Sequence, residues 1–571
     1  MTDNNYRARY EKWLGAALGD PALLTELESI EQDDSAIFDR FYKDLEFGTA
    51  GLRGVIGVGT NRMNIVTVGR ATAGLAAHVK RIAGETASVA IAYDNRVNSD
   101  VFARRAASVL AAVGVRVHIF PEMAATPVLS FAVRQLHCTA GIVVTASHNP
   151  SDYNGFKVYG PDGGQLDTAA SEGVYGLIQG IDPFGVLALD FAAGLESGLI
   201  HYIDDVLIDD YLTRCRALIT HPNALKSAGL AVVYTPLYGT GMKPVERLME
   251  EVGLKNFHVV PEQRDPDGRF PTAPYPNPED PAALALALKL AGEKAADIVV
   301  ATDPDADRLS VAVAYGGDFV QLSGNQMGCL LLDYLAAGLR DSGHMPQDPV
   351  AIRSVVSTPM FDVIAEHYGI TPIAVLTGFK NMARQMQELD KLGRIDRFVF
   401  AFEESNGFMP GSFVRDKDGI SAALLFTEMA AVERQAGRTL FDRLDDLYRR
   451  FGYCATRGHT FAYPGAVGME TMANIMSELR ADPPDTIGDF AVARVDDYRE
   501  GFHSENLVGD KMLPATDMLI FHMKDGSQAI VRPSGTEPKL KLYVVHTGVD
   551  AATAADLADK LADDFAKILA Q

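Results

Sequence analysis

Cysteine is scarce in this sequence, and its spacing excludes two classes of protein. The 571 residues include four cysteines, which lie far apart and form no CxxC pair: Cys138, Cys215, Cys329 and Cys454. This pattern matches neither a disulfide framework nor a zinc-binding spacing, so reduced structural thiols are expected. The polar start, MTDNNYRARYEKWLGAALGD, also lacks the apolar core of a signal peptide. Both absences indicate a cytoplasmic protein.

Long apolar runs and an excess of positive charge are also missing. The most apolar helical stretch, residues 281–297, reaches Lys289 well before the ~18 apolar residues that a membrane span requires. Acidic residues number 75 against 52 basic residues, which gives a formal net charge of −23. Such a chain repels polyanions, so neither a membrane nor a nucleic acid is an expected partner. A small anionic substrate can still bind where Arg and Lys concentrate, because salt screens charges beyond ~8 Å.

What the sequence does contain is an alternation of strand-like and helical segments, which is typical of α/β proteins. Three strand-like runs end in polar loops rich in reactive side chains: GIVVTASHNP (141–150), DIVVATDPDADR (297–308) and RFVFAFEESNG (397–407). This recurrence predicts three related α/β modules with mixed sheets, each contributing one loop. Short strands after about residue 457 and a terminal amphipathic helix predict a smaller C-terminal α+β domain.

The loop TDPDADR places three carboxylates close together. Asp303, Asp305 and Asp307 alternate, which in an extended loop puts them on one side and creates an oxygen site suited to Mg²⁺. A calcium EF-hand does not fit, because Arg308 and Ala314 occupy the positions that need Gly and Glu. Two alternatives stay open from the residues alone. One is a phosphatase that uses Asp303 as its nucleophile, and the other is a solvated acidic turn.

The segment RPSGTEPKLK, residues 532–541, has the composition of a phosphate-binding turn. Arg532 precedes Ser534, Gly535 and Thr536, so guanidinium donors, hydroxyls and consecutive backbone N–H groups can surround an anion. A Walker phosphate loop is excluded, because GxxxxGK[ST] does not occur in the sequence. An ordinary hairpin tip is the alternative interpretation.

A third candidate is FEESNGF, residues 402–408, in which Glu403 and Ser405 alternate and face the same way from a strand end. A carboxylate beside a hydroxyl can accept and donate hydrogen bonds to vicinal sugar hydroxyls. This segment therefore predicts a sugar-binding loop, with a solvated loop as the alternative.

Ser147 lies in VVTASHNP, residues 143–150, at the end of a strand where ligands bind in α/β sheets. A hydrolase nucleophile does not fit, because the local string TASHN is not the GxSxG elbow. A phosphate carrier fits better, since a phosphoserine has a charge of about −2 that a carboxylate-bound Mg²⁺ can meet. An ordinary turn is the alternative.

Taken together, these loops resemble the α-D-phosphohexomutase family, whose members include phosphoglucomutase and phosphomannomutase. The sequence is most similar to the long phosphoglucomutase/phosphopentomutase branch, which has an N-terminal helical extension. The resemblance spans nearly the whole chain, with motifs in the family order: FGTAGLRG (47–54), YDNRVNS (93–99), TASHNP (145–150), NGFKVY (154–159), TDPDADR (302–308), TGFKNM (377–382), FEESNG (402–407) and RPSGTEP (532–538).

The resemblance implies a role for each matching residue. Ser147 would carry the transferable phosphoryl group and would join the three aspartates Asp303, Asp305 and Asp307 as a metal ligand. Groups implied beside the reacting phosphoryl are Arg53, His148 and Lys157. Lys157 is the candidate general acid or base, which as a base needs burial or neighbouring cations to lower its pKa. The implied substrate contacts are Arg308, Lys380, Glu403, Ser405, Arg532, Ser534, Gly535 and Thr536.

The family fold also implies how the chain is divided, with its domains around a central cleft. The expected ranges are 1–46 for the helical extension, 47–203 for the α/β domain with the phosphoserine loop, 204–318 for the α/β domain with the metal-binding loop, 319–445 for the α/β domain with the sugar-binding loop, and 446–571 for the C-terminal α+β phosphate-binding domain.

The implied activity is that of an intramolecular phosphotransferase, an isomerase that interconverts glucose 1-phosphate and glucose 6-phosphate. It proceeds through a phosphoserine enzyme, Mg²⁺ and glucose 1,6-bisphosphate, which is both intermediate and activator. The string E-E-S-N-G favours glucose over mannose phosphate, because dual-specificity phosphomannomutases commonly have E-M-S-G-H there. The alternatives are a phosphopentomutase acting on ribose 1-phosphate, a phosphomannomutase, and a sugar-phosphate-binding protein without turnover. A monomer or homodimer is expected.

Overall fold

The computed structural model describes residues 5–16, 18–48, 51–463, 468–534 and 539–569. The packing of the chain divides it into two units. The first unit comprises Met1–Leu322 and Asn406–Thr439, and the second comprises Ser323–Ser405 and Leu440–Gln571. The chain therefore passes between the units three times, after Leu322, Ser405 and Thr439.

Three helices form the N-terminal extension: α1 (Asn5–Leu14), α2 (Pro21–Ser29) and α3 (Asp34–Phe41). The carboxylates of Asp20 and Asp33 accept hydrogen bonds from first-turn N–H groups and so cap α2 and α3. Trp13 is buried at the centre of the extension, with its ring centroid 5.7 Å from that of Phe41 and 5.5 Å from that of Phe184. Phe184 belongs to the first α/β module, so the extension packs on that module.

Replacement of Phe184 tests how the extension is attached. Phe184→Ala removes one of the aromatic contacts of Trp13, and because Phe184 is only partly buried we expect a loss of about 2 kcal/mol in the free energy of unfolding. Trp13 is the one tryptophan in the sequence, so its fluorescence should shift to the red as water reaches it. Phe191→Ala is the matched control, because it removes a partly buried ring that contacts Tyr202. An unshifted emission maximum in Phe184→Ala would contradict the packing.

The first module is built on a mixed six-stranded sheet with the strand order β1-β5-β4-β2-β3-β6. Strands β4, β2, β3 and β6 run parallel, whereas β5 pairs antiparallel with both β4 and β1. The elements are β1 (Leu52–Val55), α4 (Ile65–Ala83), β2 (Ser88–Tyr93), α5 (Ser99–Ala112), β3 (Arg116–Ile119), α6 (Thr126–Gln135), β4 (Ala140–Val144), β5 (Tyr153–Tyr159), α7 (Thr168–Gln179), α8 (Phe191–Glu196) and β6 (Ile200–Tyr202).

The second module has a mixed five-stranded sheet with the strand order β11-β10-β9-β7-β8. Its strands β8, β7 and β9 are parallel, and β10 turns back antiparallel beside β9. The elements are α9 (Asp205–Arg216), α10 (Pro222–Ser227), β7 (Ala231–Thr235), α11 (Met242–Glu251), β8 (Asn256–Val259), α12 (Pro281–Lys294), β9 (Ile298–Thr302), β10 (Leu309–Tyr315) and β11 (Asp318–Gln321).

The third module repeats this plan. Strand β12 pairs parallel with β13 on one side and with β14 on the other. In chain order, the elements from Gly324 to Phe451 are α13 (Gly324–Asp341), β12 (Val350–Ser354), α14 (Met360–His367), β13 (Thr371–Val375), α15 (Phe379–Lys391), β14 (Phe398–Glu403), β15 (Gly407–Met409), α16 (Gly419–Gln435) and α17 (Leu440–Phe451). Of these, β15 and α16 belong to the first unit.

A common strand order relates the three modules. In each, the first parallel strand of the core lies between the second and the third, as in β3-β2-β4, β8-β7-β9 and β13-β12-β14. The loop with reactive side chains follows the third of these strands in every case, after β4, β9 and β14. The prediction of three related α/β modules that each contribute one loop is therefore confirmed.

The C-terminal part contains an antiparallel six-stranded sheet with the order β16-β23-β22-β21-β18-β17. Helices α18 and α19 contribute apolar side chains such as Met476 and Phe565 to a core with Phe521 of the sheet. This arrangement confirms the predicted α+β class. The elements are β16 (Tyr453–Ala462), α18 (Gly468–Ala481), β17 (Thr486–Ile487), β18 (Phe490–Asp497), β19 (Phe502–His503), β20 (Met512–Leu513), β21 (Leu519–Met523), β22 (Gln528–Pro533), β23 (Lys539–Gly548) and α19 (Ala551–Leu569).

Helix α16 packs on the second module and on β15, the strand directly before it in sequence. It contacts α9, α10 and α11 and strands β9 and β10, all within the first unit. The Tyr211 hydroxyl of α9 donates a 2.8 Å hydrogen bond to Asp418, whose carboxylate also caps α16. Residues 406–439 therefore share a unit with the first two modules, while the exact domain ranges expected from the sequence stay predictions.

The structure also bears on two expectations from composition, the state of the cysteines and the lack of a membrane-spanning helix. The four cysteines are free thiols, and burial raises the pKa of Cys138 to about 11. Such thiols are poor nucleophiles at neutral pH, because the thiolate is the reactive form. Among the helices of the described residues, none is both long enough and apolar enough to cross a membrane.

Candidate active site

Ser147 occupies a strained position in the serine loop, residues 145–152 between β4 and β5. Its backbone has a φ of +52°, a left-handed conformation that residues other than glycine rarely adopt. The Ser147 N–H donates a 2.8 Å hydrogen bond to the Thr145 hydroxyl, which stabilises this turn. Strain of this kind occurs at functional sites, where the surrounding structure holds a reactive side chain in place.

The Ser147 hydroxyl points at the acidic loop, residues 303–308 between β9 and β10. Its Oγ donates a 2.7 Å hydrogen bond to Oδ2 of Asp303 and lies 3.1 Å from Nδ1 of His148. The fold thus joins two loops that are more than 150 residues apart in the sequence.

The three aspartates of the acidic loop form one buried cluster. Asp303, Asp305 and Asp307 are fully buried, and each offers a carboxylate oxygen within 4.8 Å of the others. Oδ1 of Asp303 accepts hydrogen bonds from the backbone N–H groups of Asp307 and Arg308, at 3.1 and 3.0 Å. Full burial rules out the solvated acidic turn. Because both oxygens of Asp303 are already bonded, its use as a nucleophile is also disfavoured.

The donor set of this cluster fits a hard divalent cation. Oδ1 of Asp305 and Oδ1 of Asp307 are buried and have no hydrogen-bond partner. An unsatisfied buried carboxylate oxygen is costly, and a cation removes that cost. Three carboxylates and a serine oxygen are the oxygen ligands that Mg²⁺ prefers. The cluster could therefore hold Mg²⁺ through Asp303, Asp305 and Asp307.

Charge in the cluster is unevenly distributed. Burial, together with the charges of Asp305 and Asp307, raises the pKa of Asp303 well above its ordinary value. Burial also acts to raise the pKa of Asp305, but the ammonium groups of Lys157 and Lys417 outweigh it and the pKa falls below its ordinary value. Neighbouring carboxylates with opposite shifts are typical of functional sites.

Lys157 lies inside the cluster, on β5. Its Nζ is 2.7 Å from Oδ2 of Asp305 and 3.4 Å from Oδ2 of Asp307. Burial alone lowers the pKa of Lys157, but the two carboxylates outweigh it and leave the pKa above the ordinary value for lysine. A general base would need a lowered pKa. The neighbours of Lys157 instead favour its ammonium form.

Lys417 is a second cation of the cluster, partly buried, that the sequence reasoning missed. Its Nζ lies 2.7 Å from Oδ2 of Asp307 and 3.5 Å from Oδ1 of Asp416. The only signal was the charged string RDKDG at 415–419, which has no spacing rule that relates it to the acidic loop. Thr126 was missed as well, although its hydroxyl donates a 2.8 Å hydrogen bond to Asp305.

Three further predicted residues border this site. Nη1 of Arg53 donates a 3.2 Å hydrogen bond to the Asn149 side chain within the serine loop. Burial and the charges of Arg308 and Arg53 lower the pKa of His148 well below its ordinary value, so its imidazole is neutral at pH 7. Arg308 forms a 2.7 Å ion pair with Glu279.

The sugar-binding candidates lie in the second unit. Glu403 ends strand β14, where its carboxylate accepts a hydrogen bond from the N–H of Gly378. Gly378 precedes α15 with a φ of +109°, which favours glycine, and Lys380 lies in the first turn of that helix. The motifs TGFK and FEES therefore meet at one end of the third sheet.

The side chain of Glu404, between Glu403 and Ser405, has other hydrogen-bond partners than that of Glu403. Its carboxylate accepts hydrogen bonds from the hydroxyls of Ser354, at 2.9 Å, and Ser357, at 3.3 Å. Ser357 also accepts a 3.2 Å hydrogen bond from the Glu404 N–H. These bonds anchor the segment between Glu403 and Ser405 to the end of β12.

The phosphate-binding candidates belong to the C-terminal sheet of the same unit. Arg532 lies in β22 opposite Lys541 of β23, and the Ser534 N–H donates a 2.7 Å hydrogen bond to the Lys539 carbonyl. Burial raises the pKa of Tyr543, and so do the carboxylates of Glu404 and Glu403, while Arg532 lowers it. The charges of Arg532, Glu403 and Glu404 thus all influence the pKa of the Tyr543 hydroxyl. Two predicted residues, Gly535 and Thr536, lie outside the described residues.

Comparison with known proteins places the chain in a family. Sequence models of the phosphoglucomutase/phosphomannomutase family match it in order: α/β/α domain I at residues 44–183, domain II at 209–316, domain III at 323–451 and the C-terminal domain at 492–564. A phosphoglucomutase of Staphylococcus saprophyticus is 35% identical over 518 residues, which cover 90% of this chain and 92% of that protein. This chain belongs to the phosphoglucomutase/phosphomannomutase family.

Other members of the phosphoglucomutase/phosphomannomutase family agree in sequence and fold. A phosphoglucomutase of Staphylococcus aureus is 36% identical over 519 residues, with 90% of this chain and 92% of that protein covered. A putative phosphomannomutase of Thermus thermophilus has the same fold, with a TM-score of 0.68, 21% identity and coverage of 93% and 100%. The Paramecium phosphoglucomutase parafusin gives a TM-score of 0.71 at 17% identity, with coverage of 93% and 96%.

Proposed function

We propose that this protein is a phosphoglucomutase, which interconverts glucose 1-phosphate and glucose 6-phosphate through a phosphorylated Ser147. The observation that carries the proposal is the 2.7 Å hydrogen bond from the Ser147 hydroxyl to Asp303, in a cluster with two unpartnered carboxylate oxygens. A serine placed against a cation site is what phosphoryl transfer needs, because that chemistry depends on position and charge neutralisation. The relatives named phosphoglucomutase support the same activity.

In this proposal Ser147 gives its phosphoryl group to a hydroxyl of the bound glucose phosphate and forms glucose 1,6-bisphosphate. The bisphosphate turns over in the site, and its other phosphoryl group returns to Ser147. Arg53, Lys157 and Lys417 supply positive charge beside the transferring group. Lys157 is the proposed proton donor, since its carboxylate neighbours favour the ammonium form.

The proposed metal is Mg²⁺, which Asp303, Asp305 and Asp307 would hold, with Ser147 as the proposed fourth ligand residue. When bound, it neutralises charge on the phosphoryl oxygens as a Lewis acid. The hydrogen bonds from Thr126 and Lys157 to Oδ2 of Asp305 keep that side chain oriented while its Oδ1 stays available.

Substrate recognition is assigned to Arg308 and to the residues of the sugar-binding and phosphate-binding motifs. Glu403 and Ser405 are proposed to bind sugar hydroxyls, and Lys380 to contact the substrate from the start of α15. Arg532 and Ser534 are proposed to bind the phosphate group that does not react, together with Gly535 and Thr536 from outside the described residues. Because glucose phosphate must bind in two orientations, the same groups would have to serve both.

A coupled assay tests the proposal directly. Conversion of glucose 1-phosphate to glucose 6-phosphate is measured with Mg²⁺ and catalytic glucose 1,6-bisphosphate, in parallel with mannose 1-phosphate and ribose 1-phosphate. We expect glucose 1-phosphate to be turned over fastest. A large preference for ribose or mannose would make the protein a phosphopentomutase or phosphomannomutase with the same serine chemistry. No turnover of any of the three would favour a sugar-phosphate-binding protein.

Glu403→Gln refines the assay, because it removes the charge of the proposed sugar ligand while its shape is kept. We expect KM for glucose 1-phosphate to rise about 10-fold or more, the scale of one lost hydrogen bond to a charged group. Glu433→Gln is a control, because Glu433 lies on α16 and pairs with Arg438. An unchanged KM in Glu403→Gln would remove Glu403 from the sugar site.

The cellular setting follows from the same proposal. A cytoplasmic location is supported by the free thiols of the described residues and by the sugar-phosphate substrate. A monomer or a homodimer is proposed as the assembly, which sedimentation of the purified protein would decide.

A further inference from the structure

The motif YDNRVNS, residues 93–99, contains a buried arginine that donates hydrogen bonds to the backbone of the serine loop. Arg96 follows β2 and is 3% exposed. Its Nη2 donates hydrogen bonds to the carbonyls of Ser147, at 2.5 Å, and Asn149. Its Nη1 donates to the carbonyls of Pro150, at 2.8 Å, and Tyr153, at 3.0 Å. One guanidinium therefore binds three carbonyls of the serine loop and the carbonyl of Tyr153, the first residue of β5.

The charge of Arg96 is balanced by Asp94 of the same motif. Nε of Arg96 lies 3.4 Å from Oδ2 of Asp94, and neither side chain is exposed. Oδ1 of Asp94 accepts hydrogen bonds from the Arg96 N–H, at 2.9 Å, and from the Ser99 hydroxyl, at 2.7 Å. A buried ion pair of this kind is weak evidence for stability, because desolvation offsets the attraction. Its geometry instead fixes where the fork of donors points.

The second module closes over the other face of this guanidinium. The ring centroid of Phe270 lies 5.0 Å from Cζ of Arg96, within cation–π distance. Phe270 is fully buried and has a φ of +48°, which is unusual for a bulky residue and marks a constrained segment. Gly268 approaches so closely that a Cβ there would lie 2.5 Å from the Asn95 carbonyl oxygen. The segment from Gly268 to Phe270 therefore fixes Arg96 in place.

Arg96 links these contacts to the reactive serine. Ser147 has a left-handed backbone, so its conformation must be imposed by its surroundings. In the described structure the Ser147 N–H donates its side-chain hydrogen bond to the Thr145 hydroxyl, while the Ser147 carbonyl accepts one from Arg96. A shift of about 1 Å in the Ser147 hydroxyl is enough to lower a transfer rate about 100-fold.

We propose that Arg96, clamped by Phe270, is a positioning residue that holds Ser147 at the acidic loop for phosphoryl transfer. This inference rests on the proposed function, since transfer from Ser147 is the step that it serves. In the described contacts Arg96 does not touch the carboxylates of the acidic loop, and its side chain bonds to backbone carbonyls of residues 147–153, so it acts through that backbone.

Arg96→Lys tests the proposal, because it keeps the charge and loses the planar fork. We expect kcat to fall about 100-fold while KM for glucose 1-phosphate stays near the wild-type value, since the proposed sugar ligands are in another part of the chain. Transfer of the phosphoryl group from glucose 1,6-bisphosphate to Ser147, followed by intact mass, should slow in the same proportion. Hydrogen exchange at residues 147–153 should become faster.

Arg443→Lys is the matched control. Arg443 also forms a largely buried ion pair, in this case with Asp333, and both residues lie in helices of the second unit. It should lower thermal stability without changing the rate of Ser147 phosphorylation. Wild-type kcat in Arg96→Lys would overturn the proposal. So would a loss of kcat with normal phosphorylation of Ser147, or equal effects in the two variants.

Phe270→Leu is the variant to measure if Arg96→Lys does not fold. It keeps an apolar side chain and removes the ring, so we expect a smaller fall in kcat of about 10-fold, again with KM unchanged. An unchanged kcat would overturn the clamping role of Phe270. Hydrogen exchange separates this inference from the proposed function, because it does not depend on turnover. If the wild type had no mutase activity, the proposed function would fail. Faster exchange at 147–153 in the variants than in the wild type would still support the positioning role.

Discussion

Ser147→Ala is expected to lower kcat for the conversion of glucose 1-phosphate by about 10⁴-fold or more, the scale of losing a covalent nucleophile. The variant has no oxygen to carry the phosphoryl group, while the groups proposed to bind the sugar and the distal phosphate are untouched. Binding of glucose 1-phosphate, measured by calorimetry, should stay near that of the wild type. Incubation with glucose 1,6-bisphosphate should leave the mass of the variant unchanged.

Ser151→Ala provides the control for this prediction. Ser151 lies in the same loop and is partly buried, but no described hydrogen bond joins its side chain to the acidic loop. Turnover close to that of the wild type is expected. If Ser147→Ala kept its activity, or if Ser151→Ala lost it to the same degree, Ser147 would not be the phosphoryl carrier.

Removal of the metal should have the second large effect. We expect EDTA to lower mutase activity about 10³-fold, because the charge on the transferring phosphoryl group is then no longer neutralised. The same ion should stabilise the fold, since at 100 times its Kd a ligand of the native state adds about 2.7 kcal/mol to the free energy of unfolding. Mg²⁺ should therefore raise the Tm of the wild type.

Asp305→Asn should remove both responses, because Oδ1 of Asp305 is one of the two buried carboxylate oxygens of the acidic loop that have no hydrogen-bond partner. The thermal measurement does not depend on turnover, so it reports on the site even in an inactive variant. Asp333→Asn is the control. It removes a buried carboxylate that pairs with Arg443 and Arg450, and its Tm should still rise with Mg²⁺. A normal Mg²⁺ response in Asp305→Asn would place the metal elsewhere.

The two predictions rest on residues that the sequence could identify. Asp303, Asp305 and Asp307 alternate within one loop, so local spacing alone gathers their carboxylates. The mixed sheets and the repeated modules were predictable too, because strand and helix periodicity is local and the three loops recur after similar strands.

The partners of those residues were not predictable in the same way. Lys417 follows Asp307 by more than a hundred residues, and Arg96 precedes Asn149 by more than fifty. Neither pairing has a spacing rule, since the fold brings together segments whose separation along the chain carries no information about distance. The packing of α16 in the first unit is a similar case, because the helix is buried on almost every side and its sequence does not show which elements surround it.

The sequence by itself determined the alternation of strands and helices, the place of Ser147 at the end of a strand and the spacing of the three aspartates, because these depend on residue type and short spacing. Only the tertiary structure decided the charge state of Lys157 and the hold on Ser147. A pKa is a sum over burial and all nearby charges, and the carboxylates that raise the pKa of Lys157 come from another module. The carbonyl of Ser147 is likewise bound by Arg96, whose contact with Phe270 forms only when the first two modules pack together.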